Sequence, residues 1–326
     1  MRNAIDVARR TQVVPPHASR PLIALVFEGL SEVQKQLPSM LLFDAEGSRL
    51  FEQVCAQPEY YLMRAESALL RRHADAIAEL VGPQAAIVEY GTGSGRQGEL
   101  LLDALPSAHS YVPIDVEATQ LARAREMIRR RCQALRIHPL CQDFRQYVAL
   151  PSAVGGARRR VAFFPGSTVG SLQPLQAVAL LNSIREAMGP NGGLLVGFDL
   201  VKDPAVHERA GNDAAGAMAA FNRNVLARLN REVDATFDLD AFVHRATWNT
   251  QAARVDMSLV SVRTQNPTIA GIGVALDAGE EILTSHAHKF TVDGFASLAR
   301  VAGWVARETW IEAAHSYAVQ YLESTE

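Results

Sequence analysis

Cysteine and long apolar runs are both scarce in this sequence. Only three of the 326 residues are cysteine, Cys55, Cys132 and Cys141, which is too few and too scattered for a disulfide framework or a zinc site. No stretch approaches the roughly 20 apolar residues of a membrane span, and the first 21 residues lack the apolar core of a signal peptide. We therefore expect reduced, structural cysteines, no bound metal and a cytoplasmic protein.

An excess of charge of one sign is absent as well. The chain has 32 Lys and Arg against 35 Asp and Glu, and the arginine runs at residues 129–131 and 158–160 are short. Nucleic-acid surfaces need larger basic clusters. No Gly-Lys-Ser or Gly-Lys-Thr follows a glycine turn, which excludes a P-loop, and no Ser/His/Asp or Cys/His constellation indicates a hydrolase. We expect a monomer that acts on a small molecule, without a nucleic-acid or membrane partner.

The most informative stretch is residues 87–95, which read Ile-Val-Glu-Tyr-Gly-Thr-Gly-Ser-Gly. An apolar strand runs directly into a Gly-x-Gly-x-Gly turn, and a helical stripe follows over residues 96–105. Doubly wound α/β sheets build nucleotide cradles in this way, because glycines let a cofactor approach the backbone and the next helix offers free N–H groups. A plain strand-to-helix connection can contain the same glycines, so the turn alone leaves both interpretations open.

Two later apolar runs also end in carboxylates. Asp115 lies 24 residues after Gly91, where such folds place a ribose ligand. Asp143 ends the third run, where it could accept the exocyclic amine of adenine while Phe144 packs on the ring. Each acid could instead be a helix N-cap, but three strand ends with this chemistry favour a nucleoside cofactor. The turn differs from the Gly-x-Gly-x-x-Gly that holds a pyrophosphate, so we expect S-adenosylmethionine, which has no phosphate.

The order of the predicted elements indicates a doubly wound α/β sheet. Its strands are predicted near residues 87–90, 111–116, 137–144, 161–167 and 193–200, with an antiparallel edge pair near 304–312 and 317–322. An insertion before that pair reads as a helix near 214–233 and strands near 242–249, 254–264 and 280–289. We assign residues 62–199 and 288–326 to a cofactor-binding domain, 21–61 and 200–287 to an inserted α+β substrate-binding domain, and 1–20 to a loose arm.

Four longer motifs resemble the histidine-specific N-alpha-methyltransferase family of ergothioneine biosynthesis. They are Pro-Glu-Tyr-Tyr-Leu-Met-Arg-Ala-Glu at 58–66, Phe-Pro-Gly-Ser-Thr-Val-Gly at 164–170, Asp-Leu-Val-Lys-Asp at 199–203 and Phe-Asn-Arg-Asn at 221–224. The resemblance implies a seven-stranded, Rossmann-like class I methyltransferase with S-adenosylmethionine as donor and S-adenosylhomocysteine as product. The cofactor residues that it implies are Tyr60, Arg64, Gly91, Thr92, Gly93, Gln97, Asp115, Asp143, Phe144, Gly166 and Ser167. Gln97 stands where the family usually has lysine.

The substrate positions implied by the resemblance depart further from the family. Ser171 replaces an asparagine that holds the amino-acid head group, and Gly211 replaces a tyrosine that helps bind the carboxylate. Ser285 and Ala287 replace a glutamate and a serine that grip the imidazole ring. Tyr61 is the usual contact that clearly remains, and we assign it as the catalytic residue that orients the acceptor. The predicted substrate residues are Tyr61, Ser171, Gly211, Asn212, Met257, Ser285 and Ala287.

All four replacements shorten the side chain or remove a polar group from it. They predict a larger pocket that lacks partners for the charged groups of a zwitterion or an imidazolium. We expect an N-methyltransferase of specialised metabolism acting on an aromatic or heterocyclic amine or a modified amino acid. The alternatives are a histidine methyltransferase in which His286 or Asn212 restores the contacts, transfer to oxygen, sulfur or carbon, and a non-catalytic cofactor-binding protein. Alternation along a strand predicts that His286 points away from Ser285 and Ala287.

Overall fold

An eight-stranded, mostly parallel sheet forms the centre of the structure, a computed structural model that describes residues 20–314 and 316–325. Its strands are β1 (Ala85–Tyr90), β2 (Ser110–Asp115), β3 (Arg136–Ile137), β4 (Leu140–Cys141), β5 (Arg159–Phe164), β6 (Gly193–Asp199), β12 (Trp304–Glu312) and β13 (Tyr317–Ser324). They lie in the order β12-β13-β6-β5-β1-β2-β3, with β4 also paired to β2. β13 is antiparallel to β6 and β12, which confirms the predicted edge pair. The predicted arm lies outside the described residues, except for Arg20.

The helices adjoining this sheet are α3 (Leu62–Arg72), α4 (Ala74–Val81), α5 (Arg96–Asp103), α6 (Ala118–Arg131), α7 (Pro174–Met188) and α10 (Val292–Val301). They cover both of its faces. Along β1, Ala86 and Val88 join a core with α7 and α10, whereas Ala85 and Ile87 join another with α3, α4 and α5. Because both faces are buried, the strand reads as a continuous apolar run.

The predicted third strand is interrupted at Pro139. β3 pairs with Ser110 and Tyr111, and β4 pairs with Ile114 and Asp115. Proline has no N–H to give to a ladder, so one strand of the seven-stranded arrangement becomes two short ones.

A smaller antiparallel sheet has the order β11-β8-β7, from β7 (Phe242–Asn249), β8 (Arg254–Ser261) and β11 (Glu281–His288). β9 (Thr268–Ile269) and β10 (Ile272–Gly273) form a separate pair. The nearby helices are α1 (Arg20–Leu30), α2 (Ala45–Ala56), α8 (Pro204–Gly211) and α9 (Ala217–Glu232). Val54 of α2, Phe221 of α9 and Leu259 of β8 share a third core. The proposed domain boundaries stay a prediction.

Two helix predictions need correction. The helical spacing of Ala, Leu and Arg predicts one helix over residues 64–80, but the structure has two helices that meet at His73, where the backbone leaves helical geometry (φ −112°, ψ 21°). Helix α8 was not predicted, although Asp203 accepts a hydrogen bond from Ala205 N (2.9 Å) and Pro204 occupies the first helical position. An N-cap followed by proline is a start signal for a helix. No helix in the described ranges is long and apolar enough to cross a membrane.

Candidate functional site

A cavity of about 720 Å³ lies at the carboxyl ends of the parallel strands. β1 has β2 on one side and β5 on the other, which is the switch point where doubly wound sheets bind ligands. Three walls enclose the cavity: a helix wall, whose lining residues lie between 39 and 71, a strand-end wall between 91 and 172, and an insert wall between 207 and 289. All of the predicted cofactor residues line it.

The glycine turn forms the centre of the strand-end wall. Gly93 has a φ of +51°, and a Cβ on it would meet no atom within 4 Å, so the turn faces open space. Its N–H donates to Asp115 Oδ2 (2.8 Å), and Glu117 N donates to Asp115 Oδ1 (3.1 Å). Burial raises the pKa of Asp115 above its ordinary value. The site therefore fits the nucleoside end of S-adenosylmethionine, since a carboxylate keeps lone pairs for ribose hydroxyls.

Phe144 and Asp143 continue the strand-end wall after β4. The Phe144 ring packs edge-on against Tyr90 (6.3 Å between centroids) and Phe164 (5.7 Å). Asp143 is paired with Arg145 at 2.7 Å, which also lines the cavity. The predicted adenine ligands are thus adjacent to the predicted ribose ligand.

Gln97 is held by a buried carboxyl group. Its Nε2 donates to Glu66 Oε2 (2.6 Å), and its Oε1 accepts from Ser67 Oγ (2.9 Å). Glu66 also accepts from Gly166 N (3.0 Å) and from Tyr317 OH (3.0 Å). Burial raises the pKa of Glu66 to about 7, since the hydrogen bonds from these neutral partners lower it by less than burial raises it. An amide therefore stands beside Glu66 at the cofactor position where the resemblance implies a lysine.

Tyr61 is not among the residues that line the cavity, and its assignment as substrate contact and catalytic residue stays a prediction. Its hydroxyl donates to Asp199 Oδ2 (2.8 Å) and accepts from Lys202 Nζ (2.7 Å). Burial and the Asp199 charge raise its pKa above the ordinary value. The adjacent Tyr60 lines the helix wall instead, so the site contains the other tyrosine of the pair.

Asn212 is also absent from the cavity wall. Its Nδ2 donates to the carbonyl oxygens of Glu208 (2.8 Å) and Ala246 (2.9 Å), and its Oδ1 accepts from Ala246 N (3.1 Å). These bonds join the end of α8 to β7. The Asn212 side chain thus serves this junction, and its role in substrate binding stays a prediction.

The other predicted substrate residues, Ser171, Gly211, Met257, Ser285 and Ala287, line the cavity. The Ser171 hydroxyl is engaged with Thr168 O (2.8 Å). At Gly211, a Cβ would lie only 2.6 Å from Ala246 Cβ. β7 therefore occupies the space along that direction, and the expectation that glycine simply enlarges the pocket does not hold there.

His286 borders the cavity together with Ser285 and Ala287, although alternation predicted that it points away from them. The pairing register of β11 shifts between Leu283 and Ser285. The His286 ring packs edge-on against His288, 5.0 Å between centroids, and burial lowers its pKa to about 4. His286 is therefore neutral at pH 7.

An aromatic cluster that was not predicted is formed by Phe43, Phe51, Tyr60 and Phe221. Ring centroids lie 5.3 Å apart for Phe43 and Phe221 and 5.8 Å apart for Phe51 and Tyr60. All four side chains line the cavity. Phe221 belongs to the Phe-Asn-Arg-Asn motif, which was a signal, but its role depends on contacts between distant segments. His207 and Lys289 of the insert wall were missed as well.

Known proteins are similar to this chain in sequence over most of its length. The sequence profile of a family described as "Histidine-specific methyltransferase, SAM-dependent" matches residues 22–324. A histidine N-alpha-methyltransferase of Mycolicibacterium smegmatis is 37% identical over 294 residues, covering 89% of this chain and 90% of the relative. A 4-dimethylallyltryptophan N-methyltransferase of Epichloe festucae var. lolii is 24% identical over 316 residues, covering 89% and 91%. The CcbJ methyltransferase structure from Streptomyces caelestis matches with a TM-score of 0.47 and 16% identity, covering 78% of this chain and 95% of that chain.

In the described part of the chain, no group of three or more His, Cys, Asp or Glu could hold a metal ion.

Proposed function

This chain belongs to the histidine-specific, S-adenosylmethionine-dependent methyltransferase family, and we propose that its acceptor is a small amine other than histidine. The acceptor class that we propose is an aromatic or heterocyclic amine or a modified amino acid, methylated on nitrogen. The composition of the insert wall carries this proposal. None of its lining residues is Asp or Glu, and Met218, Phe221 and Met257 make much of it apolar.

An imidazolium or an ammonium group would find no carboxylate on this wall. The family's glutamate and serine positions hold Ser285 and Ala287, and the Ser171 hydroxyl already has a partner in Thr168 O. A site that recognises a polar group loses discrimination when its own donors and acceptors are deleted. Aromatic rings fit the aromatic cluster instead, because offset and edge-on ring pairs are favourable.

We assign the strand-end wall to the cofactor. Gly91 and Gly93 allow close backbone approach, Asp115 holds the ribose, and Asp143 with Phe144 holds the adenine. When bound, S-adenosylmethionine supplies an electrophilic methyl group on a sulfonium. The task left to the chain is to hold the acceptor nitrogen in line with that methyl group and to exclude water.

The acceptor amine must be unprotonated to react. An apolar wall lowers the pKa of an amine, because burial disfavours its charged form. Burial raises the pKa of Tyr60 well above its ordinary value, so its hydroxyl stays protonated. We therefore propose that Tyr60, which is also a predicted cofactor residue, orients the acceptor by donating a hydrogen bond to a polar atom other than the reacting nitrogen.

Histidine remains the second candidate acceptor. A relative named histidine N-alpha-methyltransferase is 37% identical over 89% of the chain, and the neutral ring of His286 on the insert wall is a group that could replace a lost contact. The family also includes a relative named for 4-dimethylallyltryptophan, which supports an indole-sized acceptor on this fold.

The test is mass spectrometry of products after incubation with S-adenosylmethionine carrying a deuterated methyl group. The acceptors are histidine, tryptophan, other amino acids, heterocyclic amines and a metabolite extract, and Asp115→Ala is the matched inactive control. We expect the label on the nitrogen of a compound other than histidine, and fragment ions separate nitrogen from oxygen, sulfur or carbon. Labelled trimethylhistidine as the main product would refute the acceptor proposal.

A reversion variant tests the structural reason. Ser285→Glu combined with Ala287→Ser restores the side chains that the resemblance assigns to imidazole binding. We expect this variant to gain at least about tenfold in kcat/KM for histidine, while each single variant gains less. An unchanged kcat/KM would show that these two positions do not set the specificity.

We further propose that the enzyme is a cytoplasmic monomer of the two predicted domains, without a nucleic-acid or membrane partner. Light scattering on the purified protein tests the oligomeric state.

A further inference from the structure

Glu66 is a buried carboxyl group that joins two residues of the cavity wall. It lies on α3, is completely buried, and is not among the residues that line the cavity. Gln97 Nε2 donates to Glu66 Oε2 (2.6 Å), and Gly166 N lies 3.0 Å from both carboxyl oxygens. Gln97 and Gly166 both line the cavity, the first from the start of α5 and the second after β5. One carboxyl group therefore connects two elements of the strand-end wall.

The central sheet leaves room for this carboxyl group. Gly197 lies on β6, and a Cβ at this position would collide with Glu66 Oε1 and with Tyr317 OH. A glycine inside a strand often marks the close approach of another group. Burying a carboxyl group among uncharged partners is unfavourable, so this arrangement favours a functional role for Glu66 over simple packing.

The turn that Glu66 contacts has an uncommon backbone conformation. Gly166 has a φ of +74° and Ser167 a φ of +58°. A residue other than glycine is rare in this left-handed region, and such residues cluster at functional sites. Glu66 accepts from the Gly166 N–H, and Ser167 Oγ accepts from Asp199 N (3.1 Å). Hydrogen bonds from α3 and from β6 thus fix the turn on two sides.

This turn lies on the side of the glycine loop that the nucleoside assignments leave open. β1 lies between β2 and β5 in the sheet. Asp115 ends β2 and Asp143 follows β4, which pairs with β2, whereas Gly166 follows β5. With the ribose at Asp115 and the adenine at Asp143, the side at β5 is left for the methionine arm of the cofactor.

We propose that Glu66 is a positioning residue for the cofactor, and that its carboxylate form holds Gln97 and the turn at Gly166 in place for the methionine arm. The inference rests on the proposed assignment of the strand-end wall and goes beyond the choice of acceptor. A carboxylate only accepts hydrogen bonds, which suits the two N–H groups that face it. A protonated carboxyl group would turn a donor of its own toward one of them and weaken this arrangement.

The other titratable groups near Glu66 determine what a pH experiment can resolve. Burial raises the pKa of Tyr60 and Tyr317 well above the ordinary value, so both stay protonated. Asp199, which acts on both tyrosines, stays an anion because two lysines outweigh its burial. Burial raises the pKa of Glu89 on β1 to about 8, and the charge of Glu66 adds to this rise. Glu66 and Glu89 are therefore the two groups that change charge between pH 6 and pH 8.

The experiment measures the Kd of S-adenosylhomocysteine by calorimetry on the full-length protein at pH 6 and pH 8. The pKa of Glu66 is about 7 in the folded protein, so its carboxylate form prevails only at the higher pH. We expect binding to be about threefold to tenfold tighter at pH 8, where tenfold is the limit for one group with this pKa. Glu66→Gln has a side chain of the same size that does not titrate, and it should lose this difference.

Two further variants complete the test. Gln97→Lys places an ammonium beside Glu66, which should keep it a carboxylate at both pH values and flatten the dependence. Glu79→Gln removes an exposed acid on α4 and should keep the wild-type ratio of the two Kd values. A wild-type Kd that is equal at pH 6 and pH 8, or a folded Glu66→Gln variant that keeps the wild-type ratio, would overturn the inference. If Glu66→Gln fails to fold, the wild type and Gln97→Lys still decide, because an unchanged ratio in Gln97→Lys contradicts it as well.

The outcome separates from that of the proposed function. Binding of S-adenosylhomocysteine with the same Kd at both pH values would keep the proposed function and overturn only this inference. Trimethylhistidine as the main product would overturn the acceptor proposal and leave this inference in place. No binding at either pH would overturn the cofactor assignment together with the inference.

Discussion

Two buried carboxyl groups near the cavity differ because their partners differ in charge. Burial raises the pKa of Asp199, but Lys289 and Lys202 outweigh burial and leave that pKa below its ordinary value. Glu66 is equally buried, and its partners include the neutral amide of Gln97, so its pKa rises to about 7. One carboxyl group is therefore fixed as an anion, whereas the other changes charge near neutral pH.

The titration of Glu66 should appear in the pH dependence of stability. Below its ordinary pKa of 4.5 the carboxyl group is protonated in both states, and up to about 7 the folded state retains the proton longer. The free energy of unfolding should therefore fall as pH rises through this window, by about 3 kcal/mol from this group. Glu66→Gln should remove that share, measured by urea unfolding at pH 5 and pH 8.

An exposed acid provides the control for this experiment. Glu79→Gln should leave the difference between the two pH values as in the wild type. If the free energy of unfolding of the Glu66→Gln variant differs between pH 5 and pH 8 as much as that of the wild type, the argument from burial is wrong. Gln97→Lys gives an independent check, because an ammonium beside Glu66 should lower its pKa and flatten the same dependence.

Asp115 should dominate cofactor affinity. Asp115→Ala removes the proposed ribose acceptor and the partner of Gly93 N. Loss of a charged hydrogen-bond partner predicts binding of S-adenosylhomocysteine that is weaker by about tenfold to a hundredfold, measured by calorimetry. Asp75→Ala, an exposed acid on α4, should bind as the wild type does. Unchanged affinity in Asp115→Ala would remove the ribose assignment.

At the scale of elements, strands with local sequence signals were predictable and contacts between segments were not. The limits of β7 were predicted residue for residue, because its composition and flanking turns are local. The exclusion of Tyr61 from the cavity depends on Asp199, 138 residues away in the chain. The split of the third strand was readable from Pro139, and α8 from Asp203 and Pro204, but both signals were overlooked.

The contact between α8 and β7 predicts a coupled pair of positions. Gly211→Ala places a Cβ 2.6 Å from Ala246 Cβ, and overpacking of this kind costs about 1–3 kcal/mol. Ala246→Gly should recover most of that loss in the double variant, which urea unfolding of the four proteins measures as an interaction energy. Gly155→Ala is the matched control, because no atom lies within 4 Å of its added Cβ. If the two single variants' changes in the free energy of unfolding simply add in the double variant, β7 moves aside to make room for the new Cβ.

At the scale of the whole molecule, the cavity joins walls that belong to different cores. The strand-end wall extends from the cores of the large sheet, whereas Phe221 and Met257 of the insert wall belong to the core around the small sheet. Under the proposed assignment, the cofactor and the acceptor therefore contact separately packed parts of the chain. Ligand binding stabilises the segments that it contacts, and local opening follows packed units.

Hydrogen exchange with S-adenosylhomocysteine should show this division. We expect slower exchange in residues 91–97, 115–120 and 143–145, and little change in 255–257 and 285–289. The reason is that the predicted nucleoside contacts come from the strand ends and none comes from β8 or β11. Asp115→Ala at the same ligand concentration should lose the protection. Equal protection of both walls by the cofactor product alone would mean that the two cores respond as one unit, and the acceptor would then enter a site that the cofactor has already ordered.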